Sequence, residues 1–236
     1  MLLHGICSSL DTWRRNVQPL ADAGYRVLAT DLPGHGDSYK PVLLDYDPLA
    51  AVDFTSRLLD ALGVQKASLV VNSGGGLVTT MFALEHPERT GRLALVALVA
   101  PGGPGGPGGQ ISWPLRLMSV PAIGEFLYHP WTCHLMGIDK RVFHEPSSVP
   151  DGVLTETARI HALPGSIRAT LRSLRFSINL KGVRPEWQVL DRLPQLEAPL
   201  MCLWGEQDNI IPVSHSSLIK NAIPQSLVRT LPQCRH

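Results

Sequence analysis

The sequence predicts an α/β fold: a mostly parallel sheet flanked by helices, with a mostly helical insertion. Three observations predict it. Short β-rich runs alternate with amphipathic stretches of helical period, the pattern of a parallel sheet covered on both faces. The alternation stops after residue 100 and resumes near 197. The chain also has 236 residues, 44% of them hydrophobic, enough to bury one sizeable core.

Each element has its own signal. Residues 1–3, Met-Leu-Leu, form the apolar stub of a first strand. Residues 12–23 carry apolar side chains at three-to-four spacing and are expected to be helical. Strands are expected at 25–29 and 67–72, with a helix at 48–62 between them and another at 75–85 after them. The run 93–99 reads as a buried strand, because the apolar stretch containing it is far shorter than the roughly 20 residues a membrane-spanning helix needs. Residues 101–109 alternate Pro and Gly, which disfavours regular structure because Gly is entropically costly and Pro lacks a donor. The tract reads as a hinge or linker opening an insertion at 101–196. Strands at 200–204 and 227–231, with a helix at 214–222, complete the pattern.

Composition narrows the function. A formal net charge of +1 gives no clustered positive surface for nucleic acid or an anionic membrane, so a small, largely uncharged substrate is expected. Cys7, Cys133, Cys202 and Cys234 are widely spaced with no CxxC pair, which argues against a zinc site or a disulfide framework. No basic, apolar leader opens the sequence. A cytoplasmic location is the corresponding expectation.

Four sites carry chemistry. Asn72-Ser73-Gly74-Gly75-Gly76 places a serine between a β-branched strand and a helix rich in small residues. This is a nucleophile-elbow arrangement, in which a strained turn lifts the serine Oγ clear of the backbone. Val71 stands where the motif usually has glycine, and a purely structural Gly-rich turn is the alternative. His4-Gly5-Ile6 follows the first strand, where a backbone amide can face a reacting carbonyl. The Ile6 and Gly74 amides are the expected oxyanion-hole donors. Asp208 follows the strand 200–204 and a Gly turn; it can orient an imidazole or simply hydrogen-bond its own turn, and Glu206 is a weaker candidate. His236 follows the last strand. The order Ser73, Asp208, His236 suits a hydroxyl activated by an imidazole that a carboxylate fixes.

Taken together, Leu2-Leu3-His4-Gly5, Asp31-Leu32-Pro33-Gly34-His35-Gly36-Asp37-Ser38, the serine segment and Trp204-Gly205-Glu206-Gln207-Asp208 resemble the successive signatures of the α/β-hydrolase superfamily. The resemblance covers nearly the whole chain. It implies a core formed by 1–100 and 197–236, a helical cap at 101–196, Asp208 as triad acid and His236 as triad base, with Ser38 in a structural loop. The superfamily usually carries two more strands before the His-Gly turn and a helix after the triad histidine, so the sequence reads as truncated at both ends. On that reading a sheet edge is open, which invites aggregation, His236 sits on a terminus prone to fraying, and its own α-carboxylate favours the charged imidazole. Arg235 stands where the family usually has glycine.

Serine at the elbow implies neither the dehalogenase nor the epoxide-hydrolase branch, which resemblance assigns an aspartate there. No cofactor or metal is expected, since no phosphate loop or metal-ligand spacing is present. The first expectation is a carboxylesterase acting on a small, apolar ester through an acyl-enzyme. The alternative is a carbon–carbon bond hydrolase of ring-fission dienoates, to which Ala100-Pro101-Gly102-Gly103, Asn72-Ser73 and Val142-Phe143-His144-Glu145-Pro146 look similar. A third reading is a non-catalytic small-molecule-binding protein. Trp113, Phe126, Tyr128, Trp131 and Phe143 line a pocket or fill the cap; Arg168, Arg172 and Arg175 bind a carboxylate or form a solvated face.

Overall fold

A computed structural model describes residues 1–98, 111–129, 142–145, 147 and 149–236. The Pro-Gly tract, Trp131, Cys133, His134 and Pro146 lie outside the described residues. Six parallel strands form the main sheet: β1 (Leu2–Leu3), β2 (Ala29–Thr30), β3 (Ala67–Asn72), β4 (Thr90–Val96), β7 (Leu200–Gly205) and β8 (Leu227–Leu231), in the order β2-β1-β3-β4-β7-β8. Strands β5 (Ile178–Asn179) and β6 (Gly182–Val183) form a separate antiparallel pair.

This topology fixes where a site can form. The chain passes from β1 outward to β2, then returns to the other side of β1 to lay down β3. The connection therefore reverses direction between β1 and β3. In an open parallel sheet such a switch leaves a crevice beyond the carboxyl ends of the two strands. Ile6 follows β1 and Ser73 follows β3.

Helices cover the sheet. α1 (Val17–Asp22), α2 (Pro48–Ala61), α3 (Gly75–Glu85) and α8 (His215–Ala222) belong to the alternating pattern. Asp47 caps α2, its Oδ1 accepting from the Ala50 amide at 2.7 Å, with Pro48 in the first turn; both residue types favour a helix start there. The helix expected over 12–23 is instead a 3-10 turn, Leu10–Trp13, followed by α1. Pro19 accounts for the break, since its ring would clash with the Arg15 carbonyl in a continuous helix but is tolerated in the first turn of a new one. The strand expected over 25–29 shrinks to Ala29–Thr30, because β1 presents only Leu2 and Leu3 to pair with it.

Every residue of α3 from Gly75 to Ala83 is buried, as expected of a helix apolar on all sides. Leu3, Leu69, Val71, Leu93, Leu95, Phe82, Cys202 and Trp204 form the centre of the core. Between β4 and β7 the chain adds no strand to the main sheet among the described residues and contributes α4 (Trp113–Met118), α5 (Ile123–Leu127), α6 (Val153–Ala162) and α7 (Ser166–Ser177). Ile111, Met118, Tyr128, Leu171, Leu174, Ile178 and Val183 make a second apolar cluster there. Val189, Leu193 and Leu196, within the segment 101–196 expected to be inserted, pack with the sheet's core. No helix among the described residues is long and apolar enough to cross a membrane.

Candidate active site

Ser73 sits at φ +53° between β3 and α3, a left-handed conformation that strains any residue with a Cβ. Close packing imposes the turn. A Cβ on Gly75 would lie 2.6 Å from the His4 carbonyl oxygen, and one on Gly5 would lie 2.8 Å from the Ser73 Cβ. On Gly74 it would reach 2.8 Å from Ile6 Cγ1 and 3.2 Å from the Ile6 nitrogen. The turns after β1 and β3 therefore touch, which brings the Ile6 and Gly74 amides to the same place. Val71, at the position that weakened the motif, is a fully buried core residue of β3.

His4 holds the β1 turn. The Leu32 amide donates to His4 Nε2 at 3.0 Å, so the proton sits on Nδ1, which donates to the Gly5 carbonyl at 2.7 Å. Burial pushes the His4 pKa down to about 4, keeping the ring neutral. His4 is thus a pin beside Ile6 rather than a proton carrier. Ser38 donates to the Asp31 carbonyl at 2.7 Å, while Asp31 accepts from the Leu10 and Asp37 amides, so this serine closes a loop.

Asp208 does both things the sequence left open. Its Oδ1 accepts from the Ile210 and Ile211 amides at 2.8 Å each, and its Oδ2 accepts from His236 Nδ1 at 2.8 Å. The Asp208 side chain is fully buried, that of His236 nearly so. With Nδ1 donating to a carboxylate, the neutral imidazole keeps a lone pair on Nε2 for a proton.

The segment carrying His236 is clamped rather than frayed. The Gln207 amide donates to the Cys234 carbonyl at 3.0 Å, the Cys234 amide donates to Gln207 Oε1 at 2.9 Å, and the Glu206 amide donates to the Leu231 carbonyl at 3.0 Å. Gly205 permits this: a Cβ there would lie 2.1 Å from the Arg235 carbonyl oxygen and 2.4 Å from that of Cys234. Sequence reasoning took Gly205 for a turn residue and missed Gln207; a glycine three residues before the acid was the available signal.

A cavity of about 710 Å³ adjoins these groups, and Ile6, Asn72, Ser73, Gly74 and His236 all line it. Its wall also includes Arg14 and Arg15 from the segment after β1, and Leu115, Met118, Tyr128 and Phe143 from the inserted segment. Trp113 and Phe126 do not line it and are 59% and 66% exposed. The three arginines of α7 are engaged elsewhere. Arg168 donates to the Lys40 carbonyl, Arg172 to the Val42 carbonyl and Asp45, and Arg175 to Glu125. They tie α7 to its neighbours and do not face the cavity.

The structure brings a hydroxyl, a carboxylate-bound imidazole and the Ile6 and Gly74 backbone to one cavity, groups of the kind acyl transfer uses. A family model described as alpha/beta hydrolase fold matches residues 1–119. The chain is 29% identical over 240 residues to a 2-hydroxy-6-oxo-6-phenylhexa-2,4-dienoate hydrolase of Burkholderia cepacia, covering 100% of this chain and 80% of that protein. It is 30% identical over 244 residues to a 2-hydroxy-6-oxononadienedioate/2-hydroxy-6-oxononatrienedioate hydrolase of Burkholderia vietnamiensis strain G4, with the same coverage. Among solved structures, a 2-hydroxy-6-oxo-6-phenylhexa-2,4-dienoate hydrolase from Rhodococcus sp. strain RHA1 superposes with a TM-score of 0.81 at 22% identity, over 100% of this chain and 82% of that one.

Proposed function

Because the chain belongs to the α/β-hydrolase family, we propose that it is a serine hydrolase that cleaves a carbon–carbon bond in ring-fission dienoates. Ser73 is the nucleophile, His236 the base and Asp208 the acid, with the Ile6 and Gly74 amides as the oxyanion hole. The observation that carries the site is the buried Asp208–His236 pair, 2.8 Å apart, whose imidazole lines the cavity that Ser73 also lines. Relatives named as dienoate hydrolases, aligned over the whole chain, favour this substrate over the small ester that the sequence alone favoured. In this reading 1–98 and 187–236 build the core, and the segment between them caps it.

In the first step Ser73 Oγ attacks the ketone carbon as His236 Nε2 takes its proton, and the oxyanion faces the two amides. The bond to be broken joins that carbon to C5, which is vinylic in the dienol, so the 2-hydroxyl proton must move to C5 before this attack, giving the 2,6-diketone. Collapse then breaks the C5–C6 bond, the electron pair runs through the remaining C3–C4 double bond onto the C2 carbonyl oxygen, and the dienolate takes the proton from the imidazolium and leaves as the 2-hydroxydienoate. A simple ketone has no such acceptor for the pair. Water, deprotonated by His236, then hydrolyses the acyl-serine to a carboxylic acid. Arg15 on the wall gives the substrate carboxylate a positive neighbour, whereas Arg14 is paired with Asp11.

The test compares kcat/KM for 2-hydroxy-6-oxo-6-phenylhexa-2,4-dienoate with that for p-nitrophenyl butyrate. The expected result is a higher value for the dienoate, lost in Ser73→Ala. Turnover of the ester alone would overturn the carbon–carbon assignment and return the enzyme to the carboxylesterases.

A further inference from the structure

The wall of the cavity carries more positive charge than its own carboxylates balance. Among the described residues the acidic side chain on that wall is Asp11, and Arg14 holds it. Arg15 and Arg235 also line the cavity, and neither guanidinium makes an ion pair or hydrogen bond among the described residues. Arg15 is exposed, and a solvated arginine needs no partner.

Arg235 is different, because it is half-buried. Each of the other half-buried arginines among the described residues has an acceptor: Arg14 on Asp11, Arg89 on Asp60, Arg172 on Asp45, Arg175 on Glu125, and Arg116 and Arg184 on backbone carbonyls. A guanidinium drawn out of water forfeits hydration unless an acceptor replaces it. Arg235 also stands where glycine is expected before the base. The turn does not call for its side chain: the atom that packs against Gly205 is the Arg235 carbonyl oxygen.

Charge and connectivity identify the anion that suits it. A dienoate has one carboxylate, which Arg15 answers and which departs with the enol fragment. A second unpaired guanidinium suits a second anion, and that anion must then lie across the scissile bond, on the acyl part. A planar carboxylate matches the guanidinium fork. The hydrocarbon between it and the reacting carbonyl has Ile111, Met118 and Leu174 to lie against, residues of the second apolar cluster that also line the cavity.

We infer that Arg235 is an anion subsite for a carboxylate on the acyl part of the substrate, so that the enzyme takes ring-fission products with a carboxylate at both ends. The inference rests on the proposed carbon–carbon hydrolase reading and narrows its substrate class.

The experiment measures equilibrium binding of monobenzyl glutarate and benzyl pentanoate, which differ by a carboxylate in place of the terminal methyl group, to the Ser73→Ala protein. The glutarate ester should bind about tenfold more tightly, the size of one charge-assisted hydrogen bond. Adding Arg235→Gln should abolish that ratio by weakening the glutarate ester alone, and Arg235→Lys, which keeps the charge without the fork, should retain part of it. Equal affinities in the parent, no binding of either ester, an equal loss for both esters in Arg235→Gln, or a ratio that survives Arg235→Gln and is lost in Arg15→Gln would each overturn the subsite. Both probes are esters bound without turnover, so failure of the carbon–carbon assignment leaves the ratio intact and the two failures are separable.

Discussion

Replacing Gly205 with alanine puts one methyl group between the strand that leads to Asp208 and the segment that carries His236. The new Cβ would meet the Arg235 oxygen at 2.1 Å and the Cys234 oxygen at 2.4 Å, where 3.0 Å is the closest approach real Cβ atoms make. Both atoms are backbone, so no side-chain rotation relieves the clash. The 233–236 segment must retreat by about 1 Å, a displacement that alone costs roughly 100-fold in rate when it misplaces a catalytic group. The Asp208–His236 hydrogen bond, 2.8 Å long in the structure, would stretch beyond bonding distance, forfeiting about 1.5–3 kcal/mol for a charge-assisted bond. Gly205→Ala should therefore remain folded, since the clash falls on the loop carrying His236 and not on the sheet's core, but lose about two orders of magnitude in kcat/KM. Ester or dienoate turnover measured beside near-ultraviolet circular dichroism tests this. A folded variant with wild-type kcat/KM would refute the clamp. Gln207→Ala, which removes only the bond to the Cys234 amide, should cost up to about tenfold.

Three further outcomes follow from the same geometry. Ser73→Gly removes a non-glycine residue from φ +53° and should abolish turnover while raising stability by about 1 kcal/mol or less, the strain relieved being partly offset by glycine's chain entropy; a lower denaturation midpoint would contradict the strained elbow. His4 and His35 are buried, with pKa values pushed down to about 4 and about 3 from 6.5, burial being the main cause. The unfolded chain binds protons that the native state refuses, so their stabilisation is complete above pH 6.5 and declines below it, by roughly 1.4 kcal/mol per pH unit for each imidazole. His35→Gln should flatten urea-midpoint profiles between pH 6 and 4; an unchanged slope would refute the neutral burial. Cys202 is fully buried, its pKa raised to about 12 by desolvation, so a thiol reagent should modify it only after unfolding, whereas Cys7, half-buried on the cavity wall, should react in the native protein, and Cys234, whose thiol pKa burial and the Asp208 charge also push up, should react there more slowly. Peptide mass spectra before and after denaturation separate the cases.

Where local pattern and tertiary packing agree, the sequence was a sufficient guide. β3, α3 and β8 fall where their periodicity places them, because β3 and α3 are buried in the centre of the core and β8 completes a ladder with β7. The strand expected at 25–29 fails because a strand's length is set by its neighbour as much as by its own residues, and β1 offers two. Ser73, Asp208 and His236, the proposed serine, acid and base, were picked out by residue type and order, and the structure puts each just after a strand. What holds them was not. The contact of Gly205 with Arg235 and Cys234 joins positions some 30 residues apart in the chain, and the His4–Leu32 bond spans 28. The arginines of α7 mislead for the same reason: helical spacing shows that they share a face, while the partners at Lys40, Asp45 and Glu125 come from the fold.

Labelling with a fluorophosphonate probe tests the nucleophile assignment most directly, because the reagent bonds covalently to a hydroxyl activated by an imidazole and leaves the others. Peptide mass spectrometry should place the adduct on Ser73, and both His236→Ala and Asp208→Asn should slow its formation. An adduct on another serine, or labelling of Ser73 at the same rate in all three proteins, would contradict a triad of Ser73, Asp208 and His236.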